Sequence, residues 1–520
     1  MNLIDYFDAG ASSHPNAPCF VDSGSDTPIA TYAEARAVTV RIANALKALD
    51  YAPGFHGAVL SGNTASAFTA LLGIVRAQGV WLPVNARNSV ETNIEFLEDM
   101  DCDVLFYQAR YADQVDAIRS KIPRIRHFIS LDEVDGADLS VARLIDGHPD
   151  NMPDAPSHPE AVAVILGTGG TTGRSKGVML SNRNLSMTVA NHMSVMQVTD
   201  RMTVLAAAPI THSAGIAAMP FLARGCRLVL LDGIDPQNLL AVMEQEKVNM
   251  LFLPPTVIYT LLAQPNVRNF DFSALRYLVY GAAPMSPDKL AESIEVFGPV
   301  MLQIYGQAEV PLAITALGVA DHLVDGKVAS RQRLLSAGRR LPFTRVAIMS
   351  DTGELLDEPG ALGEIVAQGD IVTQGYYKNP QATAEVQREG WHCTGDVGYF
   401  DDEGFLYIVD RKKDMIVTGG FNVFSSEVEA AVMAHPAVKD CVVIGVPDEK
   451  WGEAVKAVIE VRPDQAVDPD ELIQFVKARL GSVKAPKDVE IVSELPRSSV
   501  GKVLKKEVRK QYWQGQERMV

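Results

Sequence analysis

Short, continuous apolar runs alternate along most of the chain with longer segments whose apolar residues recur at helical spacing. The runs at 161–166 (Ala-Val-Ala-Val-Ile-Leu), 228–231 (Leu-Val-Leu-Leu), 250–253 and 277–280 read as strands. They lack the one-in-two polar alternation of a strand with one wet face, so both of their faces are covered. Between them, 236–247 and 286–296 predict helices. Doubly covered strands separated by helices predict α/β layers with largely parallel sheets. The apolar stretch 204–222 contains Pro209, Thr211, His212, Ser213 and Pro220, which suit a buried strand, loop and helix better than a bilayer span.

The pattern changes near residue 410. There the charged stretch 409–414 (Val-Asp-Arg-Lys-Lys-Asp) separates apolar strand candidates. Beyond it come strands at 440–446 and 454–461 and a helix over 468–480, enough for a small domain. The charged stretch is placed as a hinge, although composition alone favours an ordinary polar turn. The expected organisation is a large domain over 1–409, a hinge at 410–413 and a mobile domain over 414–520.

Composition narrows the class. A chain of 520 residues is too long for one ordinary core. With 47% hydrophobic and 21% charged residues it is a packed globular sequence, not a disordered one. A net charge of −17 disfavours a nucleic-acid partner but not a nucleotide substrate, which a few local cations can hold. Cys19, Cys102, Cys226, Cys393 and Cys441 are far apart and form no CxxC pair, so neither a zinc site nor a disulfide framework is expected. The first residues carry early acids and no basic run, unlike a secretory leader. A reducing cytoplasm is the expected setting.

The strongest chemical signal comes directly after the strand at 161–166. Residues 167–177 read Gly-Thr-Gly-Gly-Thr-Thr-Gly-Arg-Ser-Lys-Gly. Glycines let successive backbone N–H groups converge on an anion, threonine hydroxyls add donors, and Lys176 adds positive charge. The composition favours a polyphosphate cradle over a flexible surface loop. It is not a Walker A loop, because Lys176 follows Ser175 and precedes Gly177, and the dinucleotide GxGxxG spacing fails at Thr172.

This segment resembles the signature of the adenylate-forming superfamily, which holds acyl-CoA synthetases, aryl-CoA ligases, adenylation domains and beetle luciferases. The family pattern is roughly Thr-Ser-Gly-Thr-Thr-Gly-x-Pro-Lys-Gly; here Gly169 replaces Ser and Ser175 replaces Pro. The resemblance implies that Thr168, Gly169, Gly170, Thr171, Thr172, Gly173 and Lys176 hold the nucleotide phosphates. Further motifs occur in family order as far as residue 505. The segment 208–215 (Ala-Pro-Ile-Thr-His-Ser-Ala-Gly) resembles the one whose His212 gates the acyl pocket. In 280–284 (Tyr-Gly-Ala-Ala-Pro), Gly281 and Ala282 are implied to lie along the adenine. In 303–309 (Gln-Ile-Tyr-Gly-Gln-Ala-Glu), the resemblance places Gln303 on the adenine edge, Tyr305 on its face and Glu309 on Mg2+, with Thr168 as the second metal contact. Many members carry Thr where Ala308 stands. Asp396 in 394–399 and Arg411 in 410–414 are implied ribose contacts, Lys413 the hinge residue, and Gly420 in 419–422 a point of close approach for the thiol. In 496–502 (Pro-Arg-Ser-Ser-Val-Gly-Lys), Lys502 matches the catalytic lysine. The neighbouring Lys505, Lys506, Arg509 and Lys510 read as a solvated basic helix face.

The implied fold is α/β: a large N-terminal domain of layered α/β sheets with a β-barrel-like part, plus a small mobile α+β C-terminal domain. The implied activity is an AMP-forming acid–CoA ligase that uses ATP, Mg2+ and CoA, with no nucleic acid and no transmembrane segment, and leaves a homodimer open. Ser213 stands where amino-acid-activating domains usually place Asp, which disfavours an amino-acid substrate, and 448–453 (Asp-Glu-Lys-Trp-Gly-Glu) resembles CoA ligases; an adenylation enzyme loading a carrier protein is kept as an alternative. A luciferase-like oxygenase and a non-catalytic nucleotide sensor are the remaining rivals. Small residues at 214, 215, 217 and 218, with Tyr280 and Gly281 as a wall, favour a fatty or bulky apolar acid; an aryl acid is the alternative.

Overall fold

The computed structural model describes residues 1–24, 30–133, 139–153, 156–168, 175–312, 314–497 and 503–513. The chain forms two compact units, Met1–Val346 with Ala367–His392, and Ala347–Val366 with Cys393–Val520. The division falls inside the strand Trp391–Phe400. Residues 393–409 thus pack with the C-terminal part of the chain, whereas the 1–409 reading groups them with the N-terminal part. Packing and rotation are different properties, and the hinge expected at 410–413 concerns rotation.

The first unit holds two large sheets. In one, the strands Tyr277–Gly281, Met250–Phe252, Thr203–Ala206 and Arg227–Leu230 are neighbours in a parallel run. Met301–Tyr305 extends that run in parallel beside Tyr277–Gly281, and Thr315–Leu317 closes it antiparallel. The expected strands at 228–231, 250–253 and 277–280 and helices at 236–247 and 286–296 all appear, as Arg227–Leu230, Met250–Phe252, Tyr277–Gly281, Pro236–Gln245 and Pro287–Phe297. The physical reason is double coverage: Leu205, Val229, Leu251 and Leu278 are buried among Leu239, Leu240, Leu290 and Ile294 of the helices. The other sheet is also mainly parallel, from Leu139–Ser140 to Val162–Thr168, with Lys176–Ser181 added antiparallel at its edge. Its core includes Leu60, Leu82, Leu105, Phe128 and Ile165.

The stretch 204–222 divides as expected into the strand Thr203–Ala206, a loop and the helix Ser213–Leu222. No helix among the described residues is long and apolar enough to cross a membrane.

The second unit is α+β. Its centre is the antiparallel pair Val438–Asp448 and Gly452–Val461, with Asp488–Val492 added in parallel. Helices Ser425–Met433 and Pro469–Lys484 bury Val428, Val432, Leu472 and Val476 on one side. Asp468 caps the second helix by accepting from the Asp470 and Glu471 amides, and Gly481, at φ 79°, breaks its helical course one residue past the expected end. Helix Lys505–Lys510 buries Val508 against Val442, Ile444 and Val458.

That helix corrects one expectation. Lys505 and Arg509 are not solvated surface cations. Lys505 Nζ lies 2.9 Å from Glu429 and donates to Ser425 Oγ at 2.6 Å. Arg509 pairs with Asp414 at 2.6 Å. A helix with one apolar face still has flanks, and these two long side chains lie along them toward carboxylates of the same unit. Lys510, paired with Glu507 of its own helix, keeps the expected exposed character.

Candidate active site

The Gly/Thr-rich segment connects two antiparallel strands. Val162–Thr168 and Lys176–Ser181 pair in register, with Thr168 opposite Lys176. Ser175 Oγ donates to the Thr168 carbonyl and ties the base of the hairpin. Ser175, which replaces the family proline, therefore has a local structural partner. Gly169, Gly170, Thr171, Thr172 and Gly173 lie outside the described residues.

The second strand leads directly into helix Asn182–Val195, whose start is fixed by a reciprocal cap between Ser181 and Asn184. Asn184 Nδ2 also donates to the carbonyls of Asp370 and Val372 at 2.8 and 2.7 Å. Thr373 Oγ1 donates to the Met179 carbonyl at 2.7 Å. These bonds lay the segment 370–377 alongside the hairpin. Tyr376, which no sequence motif singled out, thereby reaches two candidate residues. Its hydroxyl donates to Glu309 Oε1 at 2.6 Å, and Lys176 Nζ sits 5.0 Å from its ring centroid. Burial first, then the Glu309 charge and hydrogen bond, push the Tyr376 phenol far up, so it is a donor at neutral pH.

Tyr305 ends the strand Met301–Tyr305, with Gln303 two residues before it on the same face, and both are half-buried. They stand at the carboxyl end of a parallel run, the usual binding edge of such sheets. The neighbouring Tyr277–Gly281 ends beside them, with Tyr280 opposite Gln303 and Gly281 opposite Ile304. A Cβ at Gly281 would fall 2.5 Å from the Ile304 carbonyl oxygen, so this close approach requires glycine. Ala282 comes next with φ 65°, in a region L-residues rarely adopt, and is exposed.

Tyr280 corrects another expectation. It is fully buried and does not form a pocket wall. Its hydroxyl lies 3.0 Å from His322 Nε2 and 3.4 Å from Gln303 Oε1. His322 Nδ1 in turn contacts the Gly318 carbonyl at 2.7 Å. Tyr280 thus supports Gln303 from within the core.

His212 stands at the N-terminus of helix Ser213–Leu222 and is half-buried. Burial pushes its imidazole down to about 4, so it is neutral at pH 7. The loop before it is held by Asn63. Asn63 Nδ2 donates to the carbonyls of Ala206, Ala208 and Leu231 at 2.9–3.1 Å, while its Oδ1 accepts the Ile210 amide at 2.8 Å. Thr211 Oγ1 donates to the Val84 carbonyl. Of the small residues after His212, Gly215 is explained by packing: a Cβ there would meet Ile210 O at 2.5 Å and Trp81 at 2.9 Å. Ala218 is buried, whereas Ala214 and Ala217 share a half-buried face.

In the second unit, Asp396 and Arg411 are direct partners on adjacent antiparallel strands, with Arg411 Nε 2.5 Å from Asp396 Oδ1. Asp396 is almost fully buried and Arg411 is exposed. Glu364, missed by motif reading, accepts the Gly395 amide at 3.0 Å and Lys412 Nζ at 3.1 Å. Lys413 lies in the short 3-10 turn Lys412–Asp414 and is exposed. Gly420 is exposed with φ 82°, beside Gly419, where a Cβ would meet the Trp451 ring at 2.6 Å. Lys502 lies outside the described residues.

Thr168 and Glu309 supply a hydroxyl and a carboxylate, hard oxygen donors that fit Mg2+ shared with phosphates and water. Tyr376 engages Glu309 Oε1, and Oε2 has no hydrogen bond among the described residues. The donor set fits the ion.

Comparison with known proteins places these motifs in context. The AMP-binding enzyme model matches residues 7–377, and the AMP-binding enzyme C-terminal domain matches 427–502. The chain is 36% identical over 485 residues to a feruloyl-CoA synthase of Amycolatopsis sp, covering 93% of this chain and 94% of the relative. It is 32% identical over 512 residues to a long-chain-fatty-acid–CoA ligase of Mycobacterium tuberculosis, covering 96% and 97%. Among solved structures it resembles the amide bond synthetase McbA of Marinactinospora thermotolerans, with TM-score 0.86, 30% identity and coverage of 98% and 100%.

Proposed function

The chain belongs to the AMP-binding enzyme family, and on that footing we propose that it joins a carboxylic acid to CoA through an acyl-adenylate made from ATP. The observation that supports this reading most directly is the joined set of hairpin, Tyr376 and Glu309. It gathers a cation and a hard-oxygen carboxylate at the strand that follows the Gly/Thr-rich segment. That is the equipment needed to hold a triphosphate and to stabilise charge as pyrophosphate leaves.

In the first step a carboxylate oxygen of the substrate attacks the α-phosphorus of ATP, and the bond to the bridging oxygen breaks, releasing pyrophosphate. The residues at 168–173 and Lys176 hold the phosphates. Thr168 and Glu309 would hold Mg2+, which when bound would neutralise phosphate charge. Gln303 meets the polar edge of adenine, Tyr305 its face, and Gly281 with Ala282 offer a backbone surface without bulky side chains. Asp396 and Arg411 hold the ribose hydroxyls. Lys502 stabilises the charge that shifts onto the α-phosphate and the leaving pyrophosphate. In the second step the CoA sulfur attacks the acyl carbonyl carbon, the thiol proton is lost and AMP departs. Rotation about 410–413 removes Lys502 and presents Gly420, whose lack of a side chain admits the thiol.

The acid is bulky and apolar. Neutral His212 places no cation at the gate, and the small side chains of Ala214 and Ala217 leave room. An aryl acid is the second reading, favoured by the 36% identity to a feruloyl-CoA synthase. The reaction takes place in the cytoplasm, a setting supported by five free cysteines, four of them buried.

The test is AMP formation from ATP across a panel of fatty and aryl acids, with and without CoA. Acid-dependent pyrophosphate release and CoA-dependent thioester formation are expected. ATP turnover that ignores the acid, or product that forms equally without CoA, overturns the reading.

A further inference from the structure

Tyr376 is tied by backbone and side chain to both halves of the phosphate site. The Met179 amide donates to the Gly375 carbonyl at 2.9 Å, and the Tyr377 amide to the Gly177 carbonyl at 2.7 Å. Val178 and Tyr376 form an antiparallel bridge, so Tyr376 is stitched to the strand that begins at Lys176. On its other side the Thr373 amide donates to the Glu309 carbonyl at 2.8 Å. The Tyr376 amide donates to Thr383 Oγ1 at 2.9 Å, and the residue is only 6% exposed. A side chain held at this many points has little freedom of its own.

We propose that Tyr376 is a positioning residue that presets the Glu309 carboxylate for its metal and seats Lys176 until a triphosphate arrives. The hydroxyl holds Oε1, which stops the carboxylate from rotating and leaves Oε2 for the ion. A carboxylate oriented in advance loses less freedom when the ion binds, which is how partners behind a metal ligand raise affinity. The ring face keeps Lys176 beside the hairpin through a cation–π contact. A phosphate oxygen offers a stronger, charge-assisted partner, so Lys176 can leave the ring when nucleotide binds. One side chain thus organises both the metal and the phosphate side of the site.

The inference rests on the ATP-dependent reading of the site, and the experiment separates the two. ATP binding is measured by calorimetry over a Mg2+ series for wild type, Tyr376→Phe and Tyr376→Leu, with pyrophosphate exchange alongside. Tyr376→Phe keeps the ring and loses the hydroxyl. It is expected to need about tenfold more Mg2+ for half-saturation, with the loss recovered by excess Mg2+. Tyr376→Leu is expected also to weaken ATP binding at saturating Mg2+, because Lys176 loses its seat. The Mg2+ midpoint does not depend on the fraction of folded protein, so partial misfolding does not mimic the effect. A wild-type midpoint in Tyr376→Phe, or a loss that excess Mg2+ fails to recover, overturns the metal role. Equal ATP affinity of the Phe and Leu variants at saturating Mg2+ overturns the lysine role. Wild type that binds no ATP with Mg2+ overturns the functional reading instead.

Discussion

Arg509 Nη2 lies 2.6 Å from Asp414 Oδ1, and the two side chains are only 15% and 14% exposed. The pair joins the charged stretch near residue 410 to the helix that comes after the Lys502 segment. Removing one partner leaves a largely buried charge without its counter-ion. Arg509→Met is expected to cost about 1–3 kcal/mol, between the values for exposed and fully buried pairs. Burial pushes the Asp414 carboxyl up, but Arg509, Lys505 and Lys413 outweigh it and hold it below its ordinary 3.8. Its contribution is therefore complete above pH 3.8 and is lost as pH falls below that value. The stability gap between wild type and Arg509→Met, read from urea midpoints, should close over the same acid range. A gap that persists there would remove the pair as its cause.

Three histidines should make the protein acid-sensitive above that range. Burial pushes His192, His212 and His322 each down to about 4 from an ordinary 6.5. Below pH 6.5 the unfolded chain takes up these protons before the folded one does, so stability declines as pH falls toward 4. His192→Asn is expected to flatten the decline, measured as melting temperature against pH. An unchanged slope would show that His192 titrates alike in both states.

The lysine and hinge assignments separate by step. Lys502→Ala should slow adenylation by about 10²–10³, measured as acid-dependent pyrophosphate exchange. Lys413→Pro should slow thioester formation more than adenylation, because it stiffens the backbone where rotation is proposed. Equal loss in both steps would speak against the hinge.

Ala217 lies on the half-buried face of the helix that His212 begins. Ala217→Phe should shift preference from bulky toward smaller acids by about tenfold or more in kcat/KM, with the KM for ATP unchanged. Equal loss for all acids would move Ala217 from the pocket to the packing of the helix.

The candidate site could be named from the sequence because its proposed chemistry is written in local motifs. Gly281 is required because a Cβ there would fall 2.5 Å from the Ile304 carbonyl oxygen, and residues of its type at that spacing carry a readable signal. Tyr376, Glu364 and Asn63 were not legible. Each acts on residues far away in the chain: Tyr376 meets Glu309 across 67 positions, and Asn63 meets Leu231 across 168. A tyrosine or an asparagine has no local pattern that declares such a partner. Lys505 and Arg509 were misread for the same reason, since a basic helix looks solvated until its carboxylates are placed beside it.

Apolar periodicity and motif order were enough to establish the layered α/β class, the parallel runs and the adenylate-forming family, because these depend on burial patterns and on residue types within a few positions of one another. Folding alone decided which side chains hold the motifs in place: Tyr376 on Glu309 and Lys176, Tyr280 behind Gln303, Asp396 against Arg411. Hydrogen bonds and ion pairs form between atoms within about 3 Å, and only the packed chain brings residues so distant in sequence within that reach.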